Sequence, residues 1–159
     1  MKKFFLMMVF VLVASLTGFA QNTYEWKAYG LQVTLPSGMQ VLQNTDELFM
    51  VGNTKTKIEI HAMEESLEDL SEDDVLAAIQ SIGNNLNIDL AQSETVELEC
   101  KNGSGFYLVA PHKTNPSLFG VICLADSNSS DVYVCVAGVA TEADAEKFGQ
   151  ILGSITFKR

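Results

Sequence analysis

Histidine and cysteine, the residues most used in zinc sites and nucleophilic catalysis, are scarce in this chain of 159 residues. The histidines are His61 and His112, and the cysteines are Cys100, Cys123 and Cys135. No C-x-x-C pair occurs, which argues against a zinc site, and no G-x-S-x-G motif of a serine hydrolase is present. A cysteine nucleophile would need a neighbouring base, and no spacing links either histidine to Cys100. The sequence therefore predicts no catalytic residues, no metal site and no cofactor. A small hydrolase or thiol enzyme with a site assembled by folding stays open as an alternative.

Basic residues are also few, with 10 lysines and arginines against 20 aspartates and glutamates, which gives a formal net charge of −10. The bases are scattered, which argues against nucleic acid or anionic lipid as a partner, because phosphate groups are bound mainly by clustered Lys and Arg. The densest acidic run, Glu64–Asp74, could supply oxygen ligands to calcium, but it lacks the spacing of an EF-hand loop. The start of a helix explains most of these acids. A divalent-cation-binding protein remains an alternative.

Only one long apolar run is present, within Met1–Ala20. Lys2 and Lys3 precede it, and small and polar residues follow it, which is the layout of a secretory signal peptide. We expect cleavage after Ala20; loss of the two lysines then leaves 20 acids against 8 bases, a charge of −12. The run is shorter than the roughly 18 to 20 residues that span a bilayer, so we expect no retained membrane anchor. No cysteine directly follows the run, which argues against a lipid-anchored protein. The sequence predicts a periplasmic or secreted product, with residues 21–159 forming a single domain.

The stretch Leu70–Leu86 is predicted to be a helix because its start, its buried face and its end can all be recognised. Ser71 and Asp74 have the spacing of a capping box, in which side chains bond the first free amides of the helix. The apolar residues that follow recur at helical spacing and form one stripe, namely Val75, Ile79, Ile82 and Leu86. A second helix is predicted from Thr141, with Asp144 at capping-box spacing and Gly153 at its end.

Alternating or continuous apolar patterns predict strands on both sides of the first helix. They lie in Tyr24–Pro36 (two short strands or one bent strand), Leu48–Gly52, Lys57–Met63, Thr95–Lys101, Phe106–Ala110, Leu118–Ala125, Asp131–Val139 and Ser154–Lys158. The order lacks the regular strand–helix alternation of a parallel sheet. We therefore predict an α+β sandwich, an antiparallel sheet of about six to eight strands with two main helices packed against it.

Two groups of residues are candidates for a special role. Cys123 and Cys135 could form a disulfide if the hairpin register places them directly opposite, whereas a slip of one residue would put them on opposite faces. The alternative is that the cysteines are small buried thiols. Trp26, Tyr29 and His112 could belong to a partner surface, because aromatic side chains are enriched at binding hot spots, although core packing is the common role of such aromatics.

Five features occur together in the chain: the opening GLQVTLPSGMQV, the segment DELFMVGN, the hairpin strand KIEIHAM, the helix in mid-chain and the closing EKFGQILGSITFK. In these features the chain resembles the Mog1/PsbP-like group of small α+β domains. Met39 replaces a tryptophan that such domains often have after the Leu-Pro turn. The resemblance implies an antiparallel sheet with helices against it, and a binding or assembly role rather than an enzyme. A cystatin-like or other α+β fold is the alternative. We therefore expect an exported non-catalytic module that binds a protein or an envelope component.

Overall fold

The computed structural model describes residues 22–158, so the leader predicted over Met1–Ala20 lies outside the described residues. Ten strands are present in this part of the chain. They are β1 (Asn22–Trp26), β2 (Leu31–Leu35), β3 (Gln40–Asn44), β4 (Phe49–Gly52), β5 (Lys57–Met63), β6 (Glu94–Cys100), β7 (Gly103–Pro111), β8 (Leu118–Ser127), β9 (Tyr133–Thr141) and β10 (Thr156–Phe157). The two helices are α1 (Glu72–Asn85) and α2 (Ala145–Gly153), and short 3₁₀ turns occupy Leu67–Asp69, Leu90–Gln92 and Glu142–Asp144.

Seven of these strands form one antiparallel sheet in the order β3-β4-β5-β9-β8-β7-β6. The other three form a small sheet in the order β1-β2-β10. The predicted α+β sandwich, with a sheet of about six to eight strands and two main helices, is therefore confirmed. The first predicted strand region is a hairpin, in which Gly30 has φ +61° at the turn between β1 and β2. The prediction did not separate the small sheet from the large one.

The central strands of the large sheet are covered on both faces, because their side chains alternate between two cores. Val121, Cys123 and Ala125 of β8 point into what we call the inner core, which also holds the small sheet and α2. Ile122 and Leu124 point the other way, into the α1 core. This alternation explains why the sequences of β7, β8 and β9 read as nearly continuous apolar runs.

Helix α1 begins and ends close to its predicted bounds. The hydroxyl of Ser71 accepts a hydrogen bond from the amide of Asp74 (3.2 Å) and donates one to the Asp74 carboxylate (2.6 Å). Ile79 is buried in the α1 core, and the rest of the predicted stripe is partly buried around it. One apolar side chain of the helix, Leu76, is 57% exposed.

The start of α2 differs from the prediction, because a 3₁₀ turn separates Thr141 from the helix. Asp144 makes no side-chain cap bond. Its carboxylate instead accepts hydrogen bonds from Thr56 Oγ1 (2.8 Å), Asn53 Nδ2 (3.2 Å) and Lys147 Nζ (2.9 Å). This network lowers the pKa of Asp144 to about 2, mainly through Lys147. The acid therefore joins the β4–β5 loop to α2 instead of capping the helix.

Candidate functional site

Helix α1 covers only part of its face of the large sheet. It packs against β8. The sheet residues of the α1 core come from β7, from β8 and from the start of β9, where Tyr133 and Cys135 belong to this core. Within residues 22–158, no helix packs over the same face of β5, β4 and β3. Between α1 and β5 lies a groove of about 710 Å³, which is the candidate functional site.

The groove has an apolar floor and one apolar wall. Ala137 and Val139 of β9 line the floor and are partly exposed, although the residues between and beside them, Val136, Gly138 and Ala140, are buried. Ile82 of α1 and Leu86, the residue that directly follows the helix, line the wall. The loop Asn53–Thr56 closes one end, where Leu42 of β3 also lines the groove and is 44% exposed.

Charged side chains of β5 line the side of the groove opposite α1. They face this side because Lys57, Glu59 and His61 alternate along β5 with residues buried in the inner core. Lys57 Nζ lies 3.0 Å from the Glu59 carboxylate, and His61 Nε2 lies 3.5 Å from the same carboxylate. The hydrogen bond from Lys57 holds the pKa of Glu59 below its usual range. The groove thus combines an apolar floor with a polar side, as binding clefts commonly do.

His61 and Cys135 are opposite one another in the β5–β9 ladder, and both line the groove. Burial raises the pKa of the Cys135 thiol to about 11, so the nucleophilic thiolate is scarce near neutral pH. Among residues 22–158, no group of three His, Cys, Asp or Glu side chains could hold a metal ion. The pair therefore lacks the lowered thiol pKa that thiol catalysis needs.

The predicted disulfide between Cys123 and Cys135 is not formed. In the β8–β9 register Cys123 pairs with Val136, and Leu124 pairs with Cys135. This is the slip of one residue that sends the two cysteines to opposite faces of the sheet. Cys100, Cys123 and Cys135 are all free thiols, and burial raises the pKa of each one. Their packing in the cores agrees with the alternative, small buried side chains.

Trp26 is a core residue, so its predicted place on a partner surface is wrong. Its side chain is 1% exposed, and its indole N–H donates a hydrogen bond to the carbonyl of Thr45 (2.6 Å). The ring packs edge-on against Tyr29 and is stacked near Phe49, with centroid distances of 4.7 and 6.1 Å. Tyr29 is partly buried against the same core. These rings anchor β1 and β2 to the large sheet.

His112 orders a loop on the other side of the large sheet, so it does not join Trp26 and Tyr29 in one surface. It forms an isolated bridge with Ile88, which belongs to the α1 core. Its Nδ1 accepts hydrogen bonds from the backbone amides of Thr114 (3.3 Å) and Asn115 (3.2 Å). These bonds hold the imidazole ring in place, so its position needs no bound ligand.

A second recess, of about 590 Å³, lies beside the β8–β9 hairpin loop and is lined by serines and acids. Its Asp126 carboxylate accepts hydrogen bonds from the Ser66 hydroxyl (2.7 Å) and the Leu67 amide (3.0 Å). The carboxylate thus fixes the 3₁₀ turn before α1. Because the Asp126 carboxylate is already used by the protein itself, this recess is a weaker candidate than the groove.

The groove residues were missed at the sequence level. The alternation in β5 did indicate a polar face at Lys57, Glu59 and His61, but polar faces usually meet only water. Ala137 and Val139 sit in a continuous apolar run that predicts full burial. No local pattern marks them as partly exposed, because their exposure depends on where α1 lies.

No helix within residues 22–158 is long and apolar enough to cross a membrane. No family model matches the chain, and no curated protein sequence matches it. Solved structures of similar fold include the following three. A protein of Bacteroides thetaiotaomicron VPI-5482 aligns with a TM-score of 0.55 at 7% identity; the alignment covers 90% of this chain but only 50% of that protein's chain.

The Ran-binding protein Mog1p of Saccharomyces cerevisiae aligns with a TM-score of 0.53 at 8% identity, over 87% of this chain and 95% of its own. Cyanobacterial PsbP (CyanoP) of Synechocystis sp. PCC 6803 aligns with a TM-score of 0.53 at 11% identity, over 91% of this chain and 97% of its own. At such identities the likeness concerns the fold. The chain therefore has the Mog1/PsbP-like α+β fold.

Proposed function

We propose that this protein is an exported, non-catalytic module that binds a protein partner in the groove between α1 and β5. The observation that carries the proposal is the incomplete cover of the sheet by α1, which leaves Ala137 and Val139 of a central strand partly exposed. An apolar sheet face open to water costs free energy that a bound partner would recover.

The distribution of exposed apolar side chains supports the groove as the binding surface. Large apolar side chains exposed by more than a third occur at only three positions within residues 22–158, namely Leu42, Met63 and Leu76. Leu42 lines the groove, and Met63 is on the same face of β5, two residues beyond His61. Two of the three thus lie on the sheet face that α1 leaves open.

The chemistry of the groove favours binding over catalysis. Its only thiol, Cys135, is buried and has a pKa raised to about 11. Its carboxylate, Glu59, is paired with Lys57 and has a lowered pKa, whereas a general acid near neutral pH needs a raised one. These groups are suited to hold a polar contact at the edge of an apolar floor.

Export and the class of partner are the other two parts of the proposal. Export rests on the leader pattern of Met1–Ala20, which precedes the described residues. A protein partner is consistent with the fold neighbour Mog1p, a Ran-binding protein. The acidic balance of 20 acids against 10 bases disfavours nucleic acid and anionic lipid.

The test compares two variants of the full chain that add the same side chain at different places. Ala137→Arg puts a guanidinium on the groove floor, where Glu59 is directly opposite in the ladder and can accept it. Ala28→Arg puts one on an exposed turn between β1 and β2, in the layer on the other side of the sheet. We expect tagged wild type and Ala28→Arg to crosslink the same protein in the native cell, and Ala137→Arg to lose it.

Equal recovery of the partner by both variants would show that binding occurs elsewhere on the surface. Recovery of a lipid or another envelope component in place of a protein would contradict the proposed partner class. Cell fractionation checks export separately: the protein should leave the cytoplasm and should have a mature N-terminus at Gln21. Full-length protein retained in the cytoplasm would contradict export without affecting the groove.

A further inference from the structure

The floor of the groove offers no free backbone hydrogen-bonding edge. β5 is paired with β4 on one side and β9 on the other, and β9 is paired with β5 and β8. An extended peptide gains affinity on a sheet mainly by adding a strand at an open edge. Over paired strands its own amides would lose water without finding partners, which is costly. A helix avoids this cost because its backbone bonds are internal.

The uncovered face has the dimensions of a helix. It spans the four strands β9, β5, β4 and β3, and neighbouring strands are about 4.8 Å apart, so the outer strand axes are about 14 Å apart. A helix with its side chains is about 10 to 12 Å in diameter. Along β5 the face runs from Lys57 to Met63, about 20 Å, which matches about 13 helical residues. Helix α1 already packs on the neighbouring part of this face.

The two ends of the face carry opposite charges. Lys55 and Lys57, both exposed, lie at the end closed by the β4–β5 loop. Lys57 is paired with Glu59, whereas Lys55 forms no ion pair within residues 22–158. Glu64 and Glu65, also exposed, follow Met63 at the other end. Between them lies the apolar floor of Ala137 and Val139. A complementary partner segment would therefore be apolar on one side, acidic near the lysines and basic near the glutamates.

We propose that the groove binds an amphipathic helix of about 13 residues from the partner protein, lying beside α1 on the sheet, with its acidic end at Lys55 and its basic end at Glu64 and Glu65. This inference rests on the proposed function and specifies it. The sheet would then carry two helices on this face, one from each protein. The apolar contact supplies most of the affinity, and the charged ends set the direction of the helix.

The first experiment places a photocrosslinking amino acid at position 137 of the full chain in the native cell, with position 28 as the matched control. Mass spectrometry identifies the crosslinked segment of the partner. We expect position 137 to label one amphipathic segment and position 28 not to label it. A product at 137 from an extended segment would refute the helix and leave the proposed function intact. No protein product at 137 would refute both.

The second experiment uses a synthetic peptide that spans the crosslinked segment. We expect its helical circular dichroism to rise on binding, and its affinity to fall at least tenfold with Ala137→Arg but to stay unchanged with Ala28→Arg. Lys55→Glu should weaken binding several-fold at low salt and much less at high salt, because exposed charges are screened. Binding without a gain in helicity would refute the helix. If Lys55→Glu changed the peptide affinity equally at low and high salt, the proposal that the charged ends set the direction of the bound helix would be refuted.

Discussion

Asp144 is the residue whose replacement gives the sharpest test of how the groove is built. Its carboxylate accepts hydrogen bonds from Asn53, Thr56 and Lys147, and so joins the β4–β5 loop at the end of the groove to α2. Thr56 is 1% exposed and Asp144 is 5% exposed, so water cannot replace these bonds easily. In Asp144→Asn the shape is kept while the charge that attracts Lys147 is lost.

The pKa of Asp144 gives the expected magnitude. A fall of the pKa from 3.8 to about 2 means that the ionised form is favoured in the folded state. That difference corresponds to about 2 kcal/mol of folding free energy near neutral pH. Because the folded pKa is the lower one, this contribution is complete above pH 4 to 5 and declines as the pH falls toward 2. Roughly half of it should remain at pH 3.

Urea unfolding at several pH values measures the effect, with the fluorescence of the single tryptophan, Trp26, as the probe of the core. Asp144→Asn should be less stable than wild type by about 2 kcal/mol at pH 7, and the gap should shrink toward zero near pH 2. Glu142→Gln, an exposed acid of the same 3₁₀ turn, is the control and should change stability little. A gap that stays constant between pH 7 and pH 3 would refute the role assigned to the charge of Asp144.

Three further outcomes follow from single features of the fold. Ser71→Ala removes the N-cap of α1 and should cost about 1 kcal/mol in urea unfolding, whereas Ser81→Ala, on the exposed side of the same helix, should cost little; equal costs would contradict the cap. Gly120→Ala should cost about 1 to 3 kcal/mol, because the added Cβ would overlap Ile88; a neutral thermal melt would contradict this close packing. All three thiols should resist iodoacetamide at pH 8 in the native protein and react in urea; a mass two hydrogens lower in the unreduced protein would instead indicate a disulfide.

The sequence was sufficient for the elements whose signals are local. The capping pair Ser71 and Asp74 located the start of α1 because both partners of the bond lie within one turn. The apolar runs of β8 and β9 located the central hairpin because burial on both faces removes the polar alternation. The same reasoning failed at Asp144, where the spacing of a capping box was present but partners from the distant β4–β5 loop bind the carboxylate.

Local sequence signals could not decide the register of the β8–β9 hairpin or the burial of the Trp26 ring. The sequence of the β8–β9 hairpin permits either of two registers, and a shift of one residue decides whether Cys123 and Cys135 lie on the same face or on opposite faces. The side chain of Trp26 fits both a surface role and a core role in the sequence. Its indole N–H donates a hydrogen bond to the carbonyl of Thr45, which lies 19 residues further along the chain, and this bond allows the ring to be buried.

The groove could not be predicted because its position is decided by a contact between residues far apart in the sequence. Ile88, just after α1, packs into the space that Gly120 leaves open on β8. This contact holds the C-terminal end of α1 over β8. A helix displaced by one strand toward β5 would bury Ala137 and Val139 and uncover the β8 side chains Ile122 and Leu124. The exposed apolar floor is thus a consequence of where α1 lies on the sheet.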